Sequence, residues 1–447
     1  MPWISEQAER LDAGRLERLM GQTLDEARRR ICARPKRVLL LPPDITRAHS
    51  GAGRLTEILY RKLEGEADVH VIPTLGQHVP HTPEENRRMF GAIPEERIHV
   101  HDWRRGSVAV GTIPADFVTR ISGGRADWAI PVVLNAMLMQ EPWDLIINVG
   151  HVVPHEVLGF ANHNKNYFIG LGGKDMICAA HMMAACCGIE NNLGQLITPL
   201  RACFNKAEDE CLGKLPDLYV QIVMARNSQG ELVTTGLHVG DGLETYLAAA
   251  RQSRAQNITV FDQPVRKMVC VMQEDEFAST WVANKAVYRT RMALADGGEL
   301  VIIAPGLKRF GEQPDVDAMI RRVGYVGTPR VMEQYRTDTE MQDLAHATAH
   351  LIHGSSEGRF TITYAPGHLS KAEIETVNVG YADLESTIAR YRPDQSREGW
   401  NRTADGEDYF FIPTPSAGLW VAREKLEARA AQTAESEMAV AAAGTAH

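Results

Sequence analysis

The chain is organised around the stretch DLIINVGHVVPH at residues 144–155. Its apolar first half breaks at Gly150 and Pro154, which predicts a short buried strand over residues 144–149. His155 is therefore expected on the loop that leaves the carboxyl end of this strand, where open α/β sheets build their ligand sites. The next apolar run, GGKDMICAAHMMAACC at residues 172–187, predicts a buried helix that carries His181 inward.

Three residues of this segment combine the chemistry of an acid or base, a nucleophile and a metal ligand: His155, Lys165 and His181. Each also has an ordinary interpretation. A histidine on an apolar helix is more often a core residue bonded to a backbone carbonyl, because burial requires only that its polar atoms are satisfied. A single lysine is usually a surface residue. The combination of all three after one strand favours a functional site.

Composition limits the class of protein. A chain of 447 residues is too long for one ordinary core, so two domains are expected. A net charge of −9 argues against a nucleic-acid partner. The sequence contains no apolar run of about 20 residues and no signal-peptide core, so neither a membrane span nor secretion is expected. Seven cysteines without a C-x-x-C pair predict reduced thiols and a cytoplasmic location.

Strand and helix patterns alternate along most of the chain, which predicts an α/β fold. We expect two α/β domains with mostly parallel sheets and an active-site cleft between them. The predicted divisions are an N-terminal helical extension at residues 1–30, an N-terminal cofactor-binding domain at 31–264, a C-terminal α/β domain at 265–423 and a flexible tail at 424–447.

Two earlier loops also carry polar groups after predicted strands. The strand RVLLL at residues 37–41 is followed by PPDITR, in which Arg47 could grip a carboxylate with both arms of its guanidinium. Asp44 as a turn cap and Arg47 as a surface charge are the alternatives. The strand VHVIP at residues 69–73 leads to a loop with His78 and His81, and the helix that follows begins at a capping box. An H-x-x-H zinc pair is the alternative there, although a loop makes that spacing weak evidence.

The pattern G-H-V-x-P-H-x-x-x-G-F, followed by a lysine and by a histidine on the next helix, resembles the lactate racemase family, which uses a nickel-pincer nucleotide. The resemblance implies that His155 is an acid/base, that Lys165 is joined to the cofactor through a thioamide and that His181 binds nickel. The intervals of 10 residues (165 − 155) and 16 residues (181 − 165) match the family's spacing. Lys174 is a second candidate for the lysine role, at a spacing from His181 that does not match.

Other motifs of the same family are found elsewhere in the chain. A G-x-H-x-P-x-T-x-E-E segment implies that His78 is the second acid/base. A D-x-T-R segment implies that Arg47 faces the substrate and Asp44 the cofactor. A stretch similar to Y-Q-x-x-K-A implies that Lys285 reaches the substrate. The chain departs from the family at three places: Asn162-His163-Asn164 replaces a turn of small residues, Val282 replaces the glutamine, and Met341 stands where a tryptophan is expected.

The resemblance implies a racemase or epimerase that inverts C2 of a 2-hydroxy acid by reversible hydride transfer, with His78 and His155 as the acid/base pair. The cofactor would be the nickel complex of pyridinium-3-thioamide-5-thiocarboxylic acid mononucleotide, supplied by cofactor-synthesising enzymes. The departures favour a longer 2-hydroxy acid, such as a sugar acid, and a homo-oligomer is compatible with the sequence. A zinc-dependent lyase or hydrolase that uses His78, His81 and His155, and a catalytically inactive nucleotide-binding protein, are the alternatives.

Overall fold

The structure, a computed structural model, describes residues 1–31, 33–213 and 215–429. The chain divides into two compact units. Unit 1 contains Met1–Asn257, Phe310–Ile320 and Arg330–His353, and unit 2 contains Ile258–Arg309, Arg321–Pro329 and the described residues from Gly354 onward. Residues 430–447 of the predicted tail lie outside the described residues.

The chain returns to unit 1 twice after the single boundary predicted near residue 265. Polar contacts within unit 1 account for these returns. Arg104 donates to Asp315 at 2.7 Å, and Lys174 donates to both carboxylate oxygens of Asp343 at 2.6 Å. These contacts join residues more than 150 positions apart in the sequence, so no local sequence pattern predicts them.

Unit 1 is built on a six-stranded sheet in the order Ile4–Gln7, Leu232–Gly240, Asp217–Arg226, Leu145–His151, Arg37–Leu41 and Asp68–Val71. The last four strands are parallel, and the first two join antiparallel. All seven residues of Leu145–His151 are buried, as expected for a parallel strand that is covered on both faces. The prediction of an α/β fold with mostly parallel sheets is confirmed.

Helices cover both faces of this sheet. One apolar core lies beneath Lys174–Cys187 and Pro199–Cys211, together with the antiparallel strands Ser107–Ile113 and Ile130–Asn135. The second core lies beneath helices from the first hundred residues. The helices of unit 1 are Ala13–Ile31, Ala52–Leu63, Pro83–Phe90, Ala115–Ser122, Ala136–Gln140, Lys174–Cys187, Ile189–Asn192, Pro199–Cys211, Leu243–Asn257, Thr339–Asp343 and Ala345–Gly354, with short helical turns at Ile45–Ser50, Glu95–Arg97 and Asn166–Gly170.

The predicted helical extension at residues 1–30 is part of unit 1. Its first segment, Ile4–Gln7, forms the edge strand of the sheet, and Ile4 lies opposite Val239. The helix Ala13–Ile31 buries its apolar side, including Leu19 and Leu24, in the second core. The amphipathic pattern therefore reflects packing on the domain. Among the residues that the structure describes, no helix is both long and apolar enough to cross a membrane.

Unit 2 contains a second six-stranded sheet in the order Gly380–Tyr381, Phe360–Pro366, Leu294–Ala304, Val265–Val271, Asp408–Ile412 and Gly399–Arg402. Only the last strand is antiparallel to its neighbour. A parallel pair of strands, Ile258–Phe261 and Leu419–Ala422, stands beside it. The helices are Thr280–Ala283, Lys285–Thr290, Lys371–Thr376 and Leu384–Tyr391, with a turn at Pro415–Ala417; Pro314–Val323 and Thr328–Tyr335 run across unit boundaries.

Candidate active site

Three neighbouring parallel strands of unit 1 deliver the predicted site residues to one edge of the sheet. Asp44 and Arg47 follow Arg37–Leu41, His78 follows Asp68–Val71, and His155 follows Leu145–His151. The strand Arg37–Leu41 is in the middle and pairs with both of the others. Because the carboxyl ends of parallel strands meet at the same edge, residues far apart in the sequence converge there.

His78 and Asp44 form a hydrogen-bonded pair: Nδ1 of His78 donates to Oδ2 of Asp44. The other oxygen of Asp44 accepts from the hydroxyl of Thr46 at 2.7 Å. Burial raises the pKa of the Asp44 carboxyl, but the charge of His78 and its hydrogen bond outweigh burial, so the net shift is downward. Asp44 is therefore a carboxylate at neutral pH, which fixes the His78 tautomer and leaves Nε2 free to take a proton.

His81 has a structural role in this loop. Its Nε2 accepts from the backbone N–H of Ile45 at 2.8 Å, and its Nδ1 donates to Oδ1 of Asn86 at 3.0 Å. Both ring nitrogens are thus engaged by protein groups, which argues against His78 and His81 as a zinc pair. In the described part of the chain, no group of three or more His, Cys, Asp or Glu residues is arranged to hold a metal ion. The zinc alternative therefore lacks a protein donor set there.

His155 lies on a tight hairpin in which it pairs with Gly159. Gly159 has a φ of 76°, and a Cβ at that position would lie 2.0 Å from the carbonyl oxygen of Gln195, so only glycine fits. The imidazole is buried, with 7% of the residue exposed. Its Nδ1 accepts from the backbone N–H of Val157 at 3.2 Å, and its Nε2 lies 3.7 Å from Oε1 of Glu156. The ring is therefore held in place with Nε2 beside a carboxylate.

Glu156 is a site residue that the sequence analysis missed. Its charge acts on Arg47, on Lys165 and on His181, so it lies among the predicted site residues. Only 14% of its side chain is exposed. Its position directly after the Pro-His pair could have marked it as a candidate site residue from the sequence. A buried carboxylate at this point balances part of the positive charge of Arg47 and Lys165.

Lys165 has the electrostatic surroundings of a nucleophilic amine. Burial lowers the pKa of its ammonium to about 8, and the positive charge of Arg47 acts in the same direction. Glu156 and Asp44 offset part of this shift. A measurable fraction of the side chain is therefore a free amine near neutral pH. Lys174, the second candidate, is instead ion-paired with Asp343 at 2.6 Å.

One ring nitrogen of His181 is bound to the backbone of its own helix. It lies in the helix Lys174–Cys187, and its Nδ1 donates to the carbonyl oxygen of Ile177 at 2.8 Å. This bond fixes the tautomer and leaves Nε2 as the nitrogen with a lone pair. Burial lowers the pKa of the imidazole to about 4, against the bond to Ile177, so the ring is neutral at pH 7. Neutral imidazole is the form that binds metal ions.

Two further buried histidines lie near this group, on the helix Ala345–Gly354. His346 has its Nδ1 3.2 Å from Sγ of Cys178, and its charge would act on that of His181. Burial lowers the pKa of His350 to about 3, and Glu156 opposes this shift. The spacing of His346, His350 and His353 on an apolar helix could have marked them as candidates from the sequence. Met341, at the predicted tryptophan position, is fully buried in the preceding helix.

Lys285 belongs to unit 2, where it begins the helix Lys285–Thr290. It is buried, and its ammonium lies 5.4 Å from the centre of the Phe277 ring. It is therefore not the exposed helix lysine that the pattern alone would favour. Its contact with substrate stays a prediction.

Known proteins share the fold of this chain. Residues 13–192 match the model of the lactate racemase N-terminal domain. A crystal structure of a protein from Thermotoga maritima is 23% identical, with a TM-score of 0.79 over 93% of this chain and 100% of that chain. The lactate racemase apoprotein from Thermoanaerobacterium thermosaccharolyticum is 14% identical, with a TM-score of 0.63 over 93% of each chain. At these identities the two structures establish a shared fold. No curated protein sequence matches the chain.

Proposed function

We propose, since the chain belongs to the lactate racemase family, that it is an isomerase which inverts C2 of a 2-hydroxy acid with the help of a nickel-pincer nucleotide. The observation that carries the proposal is the convergence of Lys165, His181 and His78 in unit 1. The charges of Lys165 and His78 both contribute to the lowered pKa of His181. This supports the proposal, because the chemistry requires an amine for attachment, an imidazole for nickel and a base close together.

The residues present fit the cofactor. Lys165 offers an amine of lowered pKa for a thioamide bond, and His181 offers a neutral imidazole nitrogen, a ligand that suits nickel. When the cofactor is bound, His181 would be the protein ligand of its nickel. When bound, the group supplies an acceptor for the hydride of C2.

The protein's own part in the reaction is to bind the substrate and to move the hydroxyl proton. His78 takes that proton at Nε2, and the Asp44 carboxylate stabilises the imidazolium that forms. His155 performs the same step for the other enantiomer, because a planar 2-oxo acid is reduced from either face and each face needs its own acid. Arg47 binds the carboxylate and holds the 2-oxo acid in the site until it is reduced.

A polyhydroxylated substrate, such as a sugar acid, is the substrate class that we favour. Glu156 adds a hydrogen-bonding group beside the candidate base His155, and its charge also acts on His350, whereas a pocket for a short aliphatic acid would need an apolar wall. We propose a cytoplasmic location, because all six described cysteines are free thiols and the cytoplasm keeps thiols reduced. Partnership with cofactor-synthesising enzymes and self-association are further parts of the proposal.

A screen of 2-hydroxy acids in deuterated water tests the proposed function. The protein would be produced together with cofactor-making enzymes. Products would be separated by chiral chromatography, and their deuterium content would be measured by mass spectrometry. We expect both epimers of at least one acid to interconvert with retention of the C2 hydrogen, because hydride transfer does not exchange it with solvent. Deuterium at C2 would contradict the proposal, and zinc without nickel in the active protein would favour the zinc-dependent alternative.

The variant Arg47→Lys tests how the substrate is bound. We expect a higher KM and a kcat/KM lower by about 10-fold or more, because lysine keeps the charge but loses the planar two-armed grip on a carboxylate. Initial rates over a range of substrate concentrations check this. Arg54→Lys is a matched control, since Arg54 is an exposed arginine paired with Glu57 on the helix Ala52–Leu63. Unchanged kinetics for Arg47→Lys would place Arg47 outside the substrate site.

A further inference from the structure

We propose that Arg201 is a positioning residue that holds the turn at residues 160–164 in shape and so presents Lys165 to the candidate site. This inference rests on the role that the proposed function gives to Lys165. Arg201 lies in the third position of the helix Pro199–Cys211, and none of its surface is exposed. A fully buried arginine is costly unless its hydrogen bonds are satisfied, so the acceptors that it contacts indicate what it does.

The turn needs such support because of its backbone. Asn162 has a φ of 66° and His163 a φ of 61°, so two successive residues with side chains lie in the left-handed region. Asparagine tolerates this region better than most residues, and histidine is less suited to it. The family's small residues would adopt these angles without strain. In this chain, other contacts must hold the turn.

Arg201 supplies those contacts. Its Nη2 donates to the carbonyl oxygen of Phe160 at 2.7 Å, and its Nη1 donates to the carbonyl oxygen of Asn162 at 3.2 Å and to the side-chain oxygen of Asn164. One planar guanidinium thus fixes the start, the middle and the end of the turn. The ring of Tyr246 covers the guanidinium at 4.4 Å and excludes water from it.

The side chains of the turn are held as well. Asn162 donates to Gln221 at 2.7 Å and accepts from Asn166 at 2.6 Å, and its amide packs where a Cβ on Gly150 would lie 2.2 Å away. His163 stacks on Tyr219 with ring centres 4.0 Å apart. Side chains therefore hold the turn Asn162-His163-Asn164 in shape, where the family has a turn of small residues.

Lys165 follows this turn directly and begins the next helical segment. A covalent bond to a cofactor requires its amine to be held in one place and to be partly uncharged. Burial is the main cause of the lowered pKa of Lys165, and Arg201 adds a smaller effect of its charge. Lys165 is partly exposed, and if the turn relaxes, more of its side chain contacts water and this pKa rises. The pH dependence of Lys165 reactivity therefore reports whether Arg201 positions it.

The test is competitive acetylation of full-length protein without cofactor, over pH 6.5 to 10, with the modified lysines quantified by peptide mass spectrometry. Lys371, whose side chain is 67% exposed, serves as the internal reference. We expect the wild-type midpoint for Lys165 near pH 8 and a midpoint at least about one unit higher in Arg201→Lys. One unit corresponds to about a tenfold smaller fraction of free amine at pH 7. Asn164→Ala, which removes one acceptor of Arg201, should give a smaller rise.

Thr198→Ala is the matched control. Its side chain caps the same helix by accepting from the backbone N–H of Arg201 at 3.1 Å, so the variant weakens the helix but keeps the guanidinium contacts. The control midpoint should equal that of wild type. The proposal is overturned if folded Arg201→Lys keeps the wild-type midpoint of Lys165, or if Thr198→Ala shifts that midpoint as much as Arg201→Lys does. If Arg201→Lys does not fold, a wild-type midpoint in Asn164→Ala overturns the proposal. Because no cofactor or substrate is used, failure here leaves the proposed function untouched.

Discussion

The variant His78→Asn is expected to lower kcat by about 10²- to 10⁴-fold, the usual contribution of a general acid or base. Asparagine can still donate a hydrogen bond to Asp44, so the loop keeps its shape, but it cannot accept a proton as Nε2 of histidine does. The measurement is kcat from each enantiomer by chiral chromatography. Both directions should fall, because every inversion uses one histidine as base and the other as acid.

A matched control for this variant is His99→Asn. Nε2 of His99 lies 2.8 Å from Nδ1 of His70, in a separate pair of histidines on unit 1. This variant should keep the wild-type kcat. If His78→Asn also keeps it while the protein is folded and loaded with cofactor, His78 is not an acid or base of the reaction.

The variant His181→Ala is expected to lose bound nickel almost completely while the organic part of the cofactor stays attached. The two outcomes separate because metal ligation and a thioamide bond at Lys165 are different bonds. Nickel would be measured by elemental analysis and the attached group by intact-protein mass spectrometry. Met182→Leu, a volume-conserving change at the next position of the same helix, is the control and should keep both. Full nickel content in His181→Ala would assign the metal to another ligand.

Much of the candidate site could be predicted because its residues stand at fixed places relative to strands. His78 and His155 follow apolar runs that end at glycine or proline, and such runs become the parallel strands of the sheet. Thr82 and Glu85 form the predicted capping box, so the start of the helix Pro83–Phe90 could be predicted from residues close together in the sequence. These signals depend on neighbours in the sequence, which is why they succeed.

The residues that were missed depend on contacts between distant segments. His346 contacts Cys178, which is 168 positions away in the sequence, and the periodicity of neither helix predicts this contact. Glu156 stands beside His155, but only the folded chain reveals the charges around it. The segment around Lys285 forms two short helices, Thr280–Ala283 and Lys285–Thr290, and a strand begins already at Leu294. An apolar run there serves a strand as well as a helix.

Attachment at Lys165 also has a predictable pH dependence. The folded pKa of this amine is lowered to about 8, so the free amine is the minor form at pH 7 and the major form at pH 9. Attachment of the cofactor should therefore become faster as the pH rises through 8. The rate should then level off above about pH 9, whereas the free-amine fraction of an exposed lysine, with a pKa near 10.4, would keep rising about tenfold per pH unit over the same range.

Peptide mapping of the attached group determines whether Lys165 carries the cofactor. Full-length protein, Lys165→Ala and Lys174→Ala would each be produced together with cofactor-making enzymes, digested and analysed by mass spectrometry. We expect an added mass on the peptide that contains Lys165, its loss in Lys165→Ala and its retention in Lys174→Ala, where only the ion pair with Asp343 is removed. An added mass on Lys174, or inversion of a 2-hydroxy acid with no added mass on any lysine, would contradict it.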